Sequence, residues 1–357
     1  MTTAVSLAQG ASNNVTMRNR IINGAMVIDQ RNAGASVSVA STAFGYVSVD
    51  RWRVNNQTDG ALTLQRSTVA PAGFSNSLLA TVTTADTSLG ASQFCFVQQP
   101  IEGFNVSDFG FGTSNATSVT LSFWVRSSVT GTMGGTVTNG AINRSYPFTY
   151  TISAANTWEQ KTVTLSGDTT GTWATDNSAG MNVFFSLGCG TDNSGTAGAW
   201  AGAQRLSATG ATSVVGTNGA TFYITGVQLE AGTTATPFEQ RLYGTELALC
   251  QRYYQRWNTG ASGSATWGSG LVTVATGVSR VGATLSVPMR SSPTFNYSNA
   301  RLYDGAAPTV TSILTNACTA TNMNVDLAAS GGGLTTARFA ALIELSSTGY
   351  VDFSAEL

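Results

Sequence analysis

The chain contains no histidine and only one lysine, Lys161; the other sixteen basic residues are arginine. Without histidine, Ser-His-Asp and Cys-His catalysis are excluded, as is nearly every metallohydrolase centre. There is no GxSxG, no phosphate-cradling glycine loop, and no GxGxxG after a strand. The four cysteines, Cys95, Cys189, Cys250 and Cys318, form no CxxC pair. That argues against structural zinc and for free buried thiols. Charged residues are scarce at 10%, against about a quarter in an average soluble domain. A net charge of −1 leaves no electrostatic footprint for nucleic acid, so none is expected as a partner. No apolar run approaches the roughly 20 residues that span a bilayer. The opening MTTAVSLAQG lacks the charged-then-apolar pattern of a signal peptide. Membrane insertion is not expected.

What the chain has in quantity is glycine, 39 residues, with abundant Thr, Ser, Asn and Ala, and 42% hydrophobic residues. At 357 residues it is long enough for two domains and a substantial core. Short alternating segments are separated by turn signals, the rhythm of a β-sandwich and not of βαβ units. Strands are expected at Leu62–Gln65, Ser77–Val82, Gln93–Gln98, Val119–Arg126, Tyr146–Ile152, Trp158–Leu165 and Met181–Leu187. In VTLSFWVR, Val119, Leu121, Phe123 and Val125 share one face, opposite Thr120, Ser122, Trp124 and Arg126.

Asn19–Arg31, NRIINGAMVIDQR, reads as a first strand kinked at Asn23-Gly24, and Val49–Val54 as a strand with Trp52 on its core face. Thr221–Arg241 reads as a closing strand. Gly226 breaks its alternation as a bulge does, and Pro237 ends its ladder. Between them, Gly188–Gly219 is a long Gly/Ser/Thr/Asn loop around Trp200.

After Arg241 the pattern changes. Thr245-Glu246 starts a short helix, and Leu247, Cys250, Tyr254 and Trp257 recur at helical spacing, with a strand possible from Tyr253. Further strands are expected at Gly270–Ala275, Ala283–Val287, Ala300–Tyr303, Thr309–Leu314, Met323–Leu327, Ala337–Leu345 and Tyr350–Phe353. The fold class is therefore all-β, with one short connecting helix.

Several phrases together, RIINGAM…DQR…VDRW, VTLSFWVRSS, NTWEQKTVTLSGDTTGTW, MNVFFSLG and GVQLEAGTTATPFEQR, resemble the carbohydrate-binding-module-like jelly-roll domain of bacteriophage tail-fibre and other virion fibre proteins. The resemblance covers about Asn19–Arg241. Met289-Arg290 with Pro293-Thr294 resembles a phrase of the C-terminal domains of phage fibre proteins. It implies an arm at residues 1–20 (Met1–Arg20), a jelly-roll domain at 21–241 and a smaller antiparallel β-domain at 242–357.

It further implies a non-enzymatic virion protein on the particle exterior, a fibre or spike partnered by other virion proteins, homotrimeric, and binding a host surface glycan or receptor. Its rivals are a head fibre, decoration or connector protein that needs no ligand, and a depolymerase. The last requires two carboxylates about 5–9.5 Å apart, with Glu102, Glu159, Glu230 and Glu239 as the scattered candidates.

Trp173, Trp200 and Trp267 are expected in Gly/Thr/Ser-rich loops, where a ring stacks on a sugar or tucks under its own loop. Trp124, Trp158 and Tyr150 lie in strands and are expected to pack between strands or in the core. The resemblance also implies a structural calcium between Glu230 and carbonyls of the Asn23-Gly24 turn; the alternative is a Glu230 bonded to an arginine such as Arg51. The arm and the Leu247–Trp257 stripe are the expected subunit contacts.

Overall fold

The computed structural model describes residues 17–258, 266–274, 278–305, 308–329, 334–336, 338–344 and 348–357. Contacts divide the chain into two compact units, one ending at Tyr243 and one running Gly244–Glu356. The arm expected over Met1–Arg20 lies outside the described residues as far as position 16.

The first unit carries strands β1 (Val37–Val39), β2 (Ala43–Gly45), β3 (Arg53–Asn56), β4 (Ala61–Ser67), β5 (Ser77–Thr84), β6 (Phe94–Glu102), β7 (Val119–Ser127), β8 (Gly131–Asn139), β9 (Ser145–Ile152), β10 (Glu159–Leu165), β11 (Ala179–Cys189), the two-residue β12 (Ser194–Gly195) and β13 (Ser207–Ala208), and β14 (Thr221–Ala231). Two six-stranded sheets form, ordered β1-β4-β5-β14-β7-β10 and β2-β3-β6-β11-β8-β9. Every pairing within them is antiparallel, and the chain crosses repeatedly from one sheet to the other in jelly-roll fashion.

The alternation seen in the sequence explains the core. Val119, Leu121, Phe123 and Val125 of β7 are fully buried. Phe123 meets Phe185 of the facing sheet with ring centroids 4.9 Å apart, and Tyr150 at 5.0 Å. Strand β8 escaped the sequence reading because GTMGG contains no alternating apolar run. Its glycines serve close packing instead: a Cβ on Gly135 would lie 2.4 Å from the Phe148 ring.

Asn19–Arg31 is not a strand. Asn23 and Met26 take positive φ, 57° and 58°, which breaks a ladder. Side-chain amides replace it. Asn19 donates Nδ2–H to the Val227 carbonyl (3.1 Å) and accepts from Leu229 N–H (3.1 Å). Gln99 of the other sheet bonds both the N–H and the C=O of Ile22, each at 2.8 Å. Residues 19–24 thus tie β14 to β6.

The expected strand at Val49–Val54 shrinks to β3 because Arg51 sits at φ 72° in a turn. Trp52 still falls in the core, 2% exposed.

The second unit opens with helix α1 (Tyr243–Gln251), followed by β15 (Tyr254–Asn258), β16 (Thr266–Val274), β17 (Val278–Thr284), β18 (Thr294–Ser298), β19 (Ala300–Tyr303), β20 (Val310–Asn316), β21 (Asn322–Ala329), β22 (Phe339–Glu344) and β23 (Tyr350–Ser354). A three-stranded sheet runs β15-β23-β18 and a six-stranded one β19-β22-β16-β17-β21-β20. The two outer strands of the latter meet through an Arg301–Thr309 bridge, so the sheet curls on itself around Leu302, Val281, Leu327 and Leu342. The stripe read at helical spacing is split: the helix stops at Gln251, and Trp257 packs from β15 on Phe353 of β23, centroids 4.9 Å apart. It has a partner within its own unit.

Candidate functional site

Trp173 and Trp200, 27 positions apart in the chain, converge. Their rings are 5.4 Å apart and perpendicular, and both meet the edge or face of Phe111, at 4.8 and 5.8 Å. Tyr146 completes the cluster, 5.2 Å from Trp200. The loop carrying Trp200 is held onto β9 by a reciprocal pair of bonds between Ser145 and Ala201. Each indole N–H donates to a carbonyl, Trp173 to Thr170 (3.1 Å) and Trp200 to Ser166 (2.8 Å).

Beside them Arg144 grips the buried Asp168 with two bonds, 2.7 and 2.8 Å. Burial opposes ionisation of Asp168, but the guanidinium and the N–H and hydroxyl of Thr170 outweigh it and hold the carboxyl below its usual range. Trp173 and Trp200 are half-buried, Phe111 and Tyr146 buried, and the four rings are spent largely on one another.

Trp267 lies in strand β16 and not in a loop, with its ring buried in the second unit's core at 6% exposure. It has no open face for a ligand.

Glu230 has both oxygens occupied: Gln228 and Thr236 donate to it at 2.7 to 2.9 Å. The charge near it is Arg18, at 3.9 Å, in place of the expected Arg51, which is buried and donates to the Pro100 carbonyl. The carbonyls of Asn23 and Gly24 accept from Trp52 and Val227. Every atom expected to ligate calcium already has a hydrogen-bond donor.

A different group of rings faces outward from the first sheet. On the polar face of β7 stand Trp124 and Arg126; on β14, Tyr223 lies opposite Arg126. Trp158, immediately before β10, reaches Tyr223, with centroids 6.0 Å apart, and the Arg126 guanidinium lies 4.8 Å over the Tyr223 ring. Arg126 is steadied by a 2.8 Å bond from its Nε–H to the Asn156 carbonyl. All four side chains are half-exposed.

The bulge makes room for this strip. Gly226 has φ 59°, and the β14–β7 register slips between Thr225 and Gln228. A Cβ at 226 would sit 2.6 Å from Phe74 and 3.1 Å from Trp124. Phe74 in turn packs edge-on to Phe238, at 5.1 Å. The result is a ring-and-guanidinium strip on a flat sheet, about 10 Å across three strands, bordered by Gln160, Thr162, Thr164 and Ser122 on the same face. Trp124 and Trp158 do pack between strands, as expected, but on the outer face and not in the core. The signal was present: Trp124 alternates with Ser122 and Arg126.

The carboxylates are dispersed and engaged. Glu159 accepts from Lys161 at 2.6 Å and from two backbone N–H groups. Desolvation opposes its ionisation, but these donors prevail and lower its pKa, the reverse of what a general acid needs. Glu239 accepts from the N–H groups of Met17 and Asn19, and Glu102 is buried. Among the described residues no cluster of three metal-ligating side chains exists. None of the four cysteines is in a disulfide; desolvation pushes the Cys189 thiol up to about 12 and Cys95 further. Among the described residues no helix is long and apolar enough to cross a membrane.

No family model and no curated protein matches the sequence. Solved structures with a weak likeness include the enzymatically active domain of bacteriophage CBA120 tailspike protein 4, with 13% identity and a TM-score of 0.31. The match covers 60% of this chain and only 22% of the tailspike chain. A putative sugar-binding protein from Bacteroides thetaiotaomicron is 12% identical, with a TM-score of 0.34, and is covered in full by 60% of this chain. A family 11 carbohydrate-binding module from Clostridium thermocellum is 11% identical at a TM-score of 0.29, over 58% of this chain and 100% of the module. At these scores the likeness carries no functional argument, and function rests on the site.

Proposed function

We propose that the protein binds glycans, without cleaving them, through the outer face of β14, β7 and β10. The observation that carries this reading is the Tyr223–Arg126–Trp158 row with Trp124 beside it. A pyranose presents an apolar face that stacks on an aromatic ring, and equatorial hydroxyls that a guanidinium and amides bond in the plane. Rigid strands hold these groups without an ordering cost at binding. The lowered pKa of Glu159 and the absence of histidine favour binding over catalysis. Together with the phrases that resemble phage fibre proteins, the site suits a homotrimeric fibre or spike subunit on a virion exterior that attaches to host surface glycan.

The test is binding of the full-length protein to host envelope glycans, alongside Trp158→Ala and Tyr223→Ala. Both side chains are half-exposed, so the variants fold. Each is expected to weaken binding about tenfold, the loss of one stacked ring, and no polysaccharide is expected to be shortened. Wild-type affinity in both variants would remove the strip from the site; fragmentation would overturn the non-catalytic reading.

A further inference from the structure

The outer surface of the second unit carries a cavity of about 190 Å³ lined by Arg280, Ala317, Asn324 and Asp326. It is smaller than the roughly 300–1,000 Å³ of drug-sized pockets, and suits one small ring. Arg280 donates Nε–H to Asp326 Oδ1 at 2.9 Å and a second N–H to Oδ2 at 3.1 Å. Two of its five N–H groups are thereby fixed in one plane, and the others have no partner among the described residues. Asn324 is exposed, and its carboxamide makes no hydrogen bond among them either. The cavity thus combines an oriented set of donors with an amide that both donates and accepts. Its net charge is zero.

Register extends the site. Phe339, Leu271, Arg280 and Asp326 stand in one transverse row across β22, β16, β17 and β21. Their neighbours in each strand, Ala340, Val272, Val281 and Val325, point into the core, so the row faces out. Leu271 is 44% exposed and Phe339 77% exposed. Paired across β22 and β16, these two side chains leave adjoining apolar surface open to water beside the polar cavity. With strands about 4.8 Å apart, Phe339 lies about 10 Å from Arg280 along the row.

We propose that this row is a second saccharide site, in which one sugar of a neutral oligosaccharide bonds Arg280 and Asn324 while the next lies over Leu271 and Phe339. Alternation of hydroxyl-bonding groups with apolar surface matches the two kinds of surface a pyranose presents. Pairing of Arg280 with Asp326 disfavours an anionic sugar, because a carboxylate would compete with one already bound. The site rests on glycan binding as the function but on none of the residues of the first strip.

The experiment is saturation-transfer NMR on the full-length protein at millimolar methyl glycosides and disaccharides of glucose, galactose, mannose and N-acetylglucosamine, with sialyllactose as the anionic probe. Wild type, Arg280→Ala, Asn324→Ala, Phe339→Ala and Trp158→Ala are compared. At least one neutral sugar is expected to give signal that persists in Trp158→Ala and weakens about tenfold in Arg280→Ala and Asn324→Ala, the worth of a hydrogen bond to a charged or fixed group. Phe339→Ala is expected to weaken disaccharides and spare methyl glycosides. Signal lost in Trp158→Ala and unchanged in Arg280→Ala and Asn324→Ala overturns the second site and leaves the first standing; a panel in which no sugar loses signal in Trp158→Ala overturns the first alone. Preference for sialyllactose overturns the neutral assignment. A Phe339→Ala variant with normal binding but a lower mass by light scattering assigns that ring to a contact between copies and overturns the extended row.

Discussion

Trp52 shows how one side chain ties the ends of the first unit together. It is 2% exposed, its indole N–H donates to the Asn23 carbonyl at 3.3 Å, and its ring lies 6.2 Å from Phe185. Trp52→Ala removes a large buried ring and leaves that carbonyl with one donor fewer. We expect a cost of about 3–5 kcal/mol, read as a lower urea midpoint; a midpoint within a few tenths molar of wild type would show that the cavity collapses.

Asp168 belongs to the same scale. Its folded pKa lies below the ordinary 3.8, so its contribution to stability is complete above about pH 5 and fades as the pH falls through 3.8 towards the folded value. Asp168→Asn is therefore expected to be less stable at neutral pH and to lose less Tm than wild type between about pH 6 and pH 3. Parallel loss in the two proteins would show that the Arg144 pair contributes nothing to acid sensitivity.

At the scale of elements, β14 does three things at once. It pairs with β5 and β7, it receives the amides of residue 19, and its bulge at Gly226 seats Phe74 and Trp124. The positive φ there costs a side-chain-bearing residue about 1–2 kcal/mol, and the Cβ would strike the Phe74 ring. Gly226→Val is expected to lower stability by that amount or more and to weaken glycan binding through displaced rings. A variant with normal Tm and affinity would show that the strip does not depend on the bulge. The carboxamides of Asn19 and Gln99 do for residues 19–24 what a backbone ladder does elsewhere, which is why a segment of apolar residues with no strand geometry is still tied to both sheets.

For the whole molecule, the proposed trimer gives a mass near three times 36.9 kDa by light scattering. A mass of one chain at micromolar concentration rules it out. With charged residues at 10%, such an interface relies on apolar and Thr/Ser/Asn contacts and is expected to resist high salt, because there is little charge to screen. Of the Leu247–Trp257 stripe, Trp257 already packs on Phe353 inside the second unit.

The all-β class, most strands of both units, the two-faced β7 and the Gly226 bulge were legible in the sequence. Each is written in local alternation or in a residue whose backbone freedom is local. Strand β8 was not, because a glycine strand is recognised only by the rings packed against it. Neither was the loss of the first strand, which follows from side-chain amides that find partners more than 70 positions away.

The candidate site divides in the same way. Trp124 and Arg126 stand on the polar face that alternation assigns. Their union with Tyr223 and Trp158, the mutual burial of Trp173 and Trp200, the burial of Trp267 and the hydrogen bonds Glu230 accepts were settled only by tertiary structure. Which ring meets water depends on what the facing strand and the returning loop place over it, and those neighbours are distant in the chain.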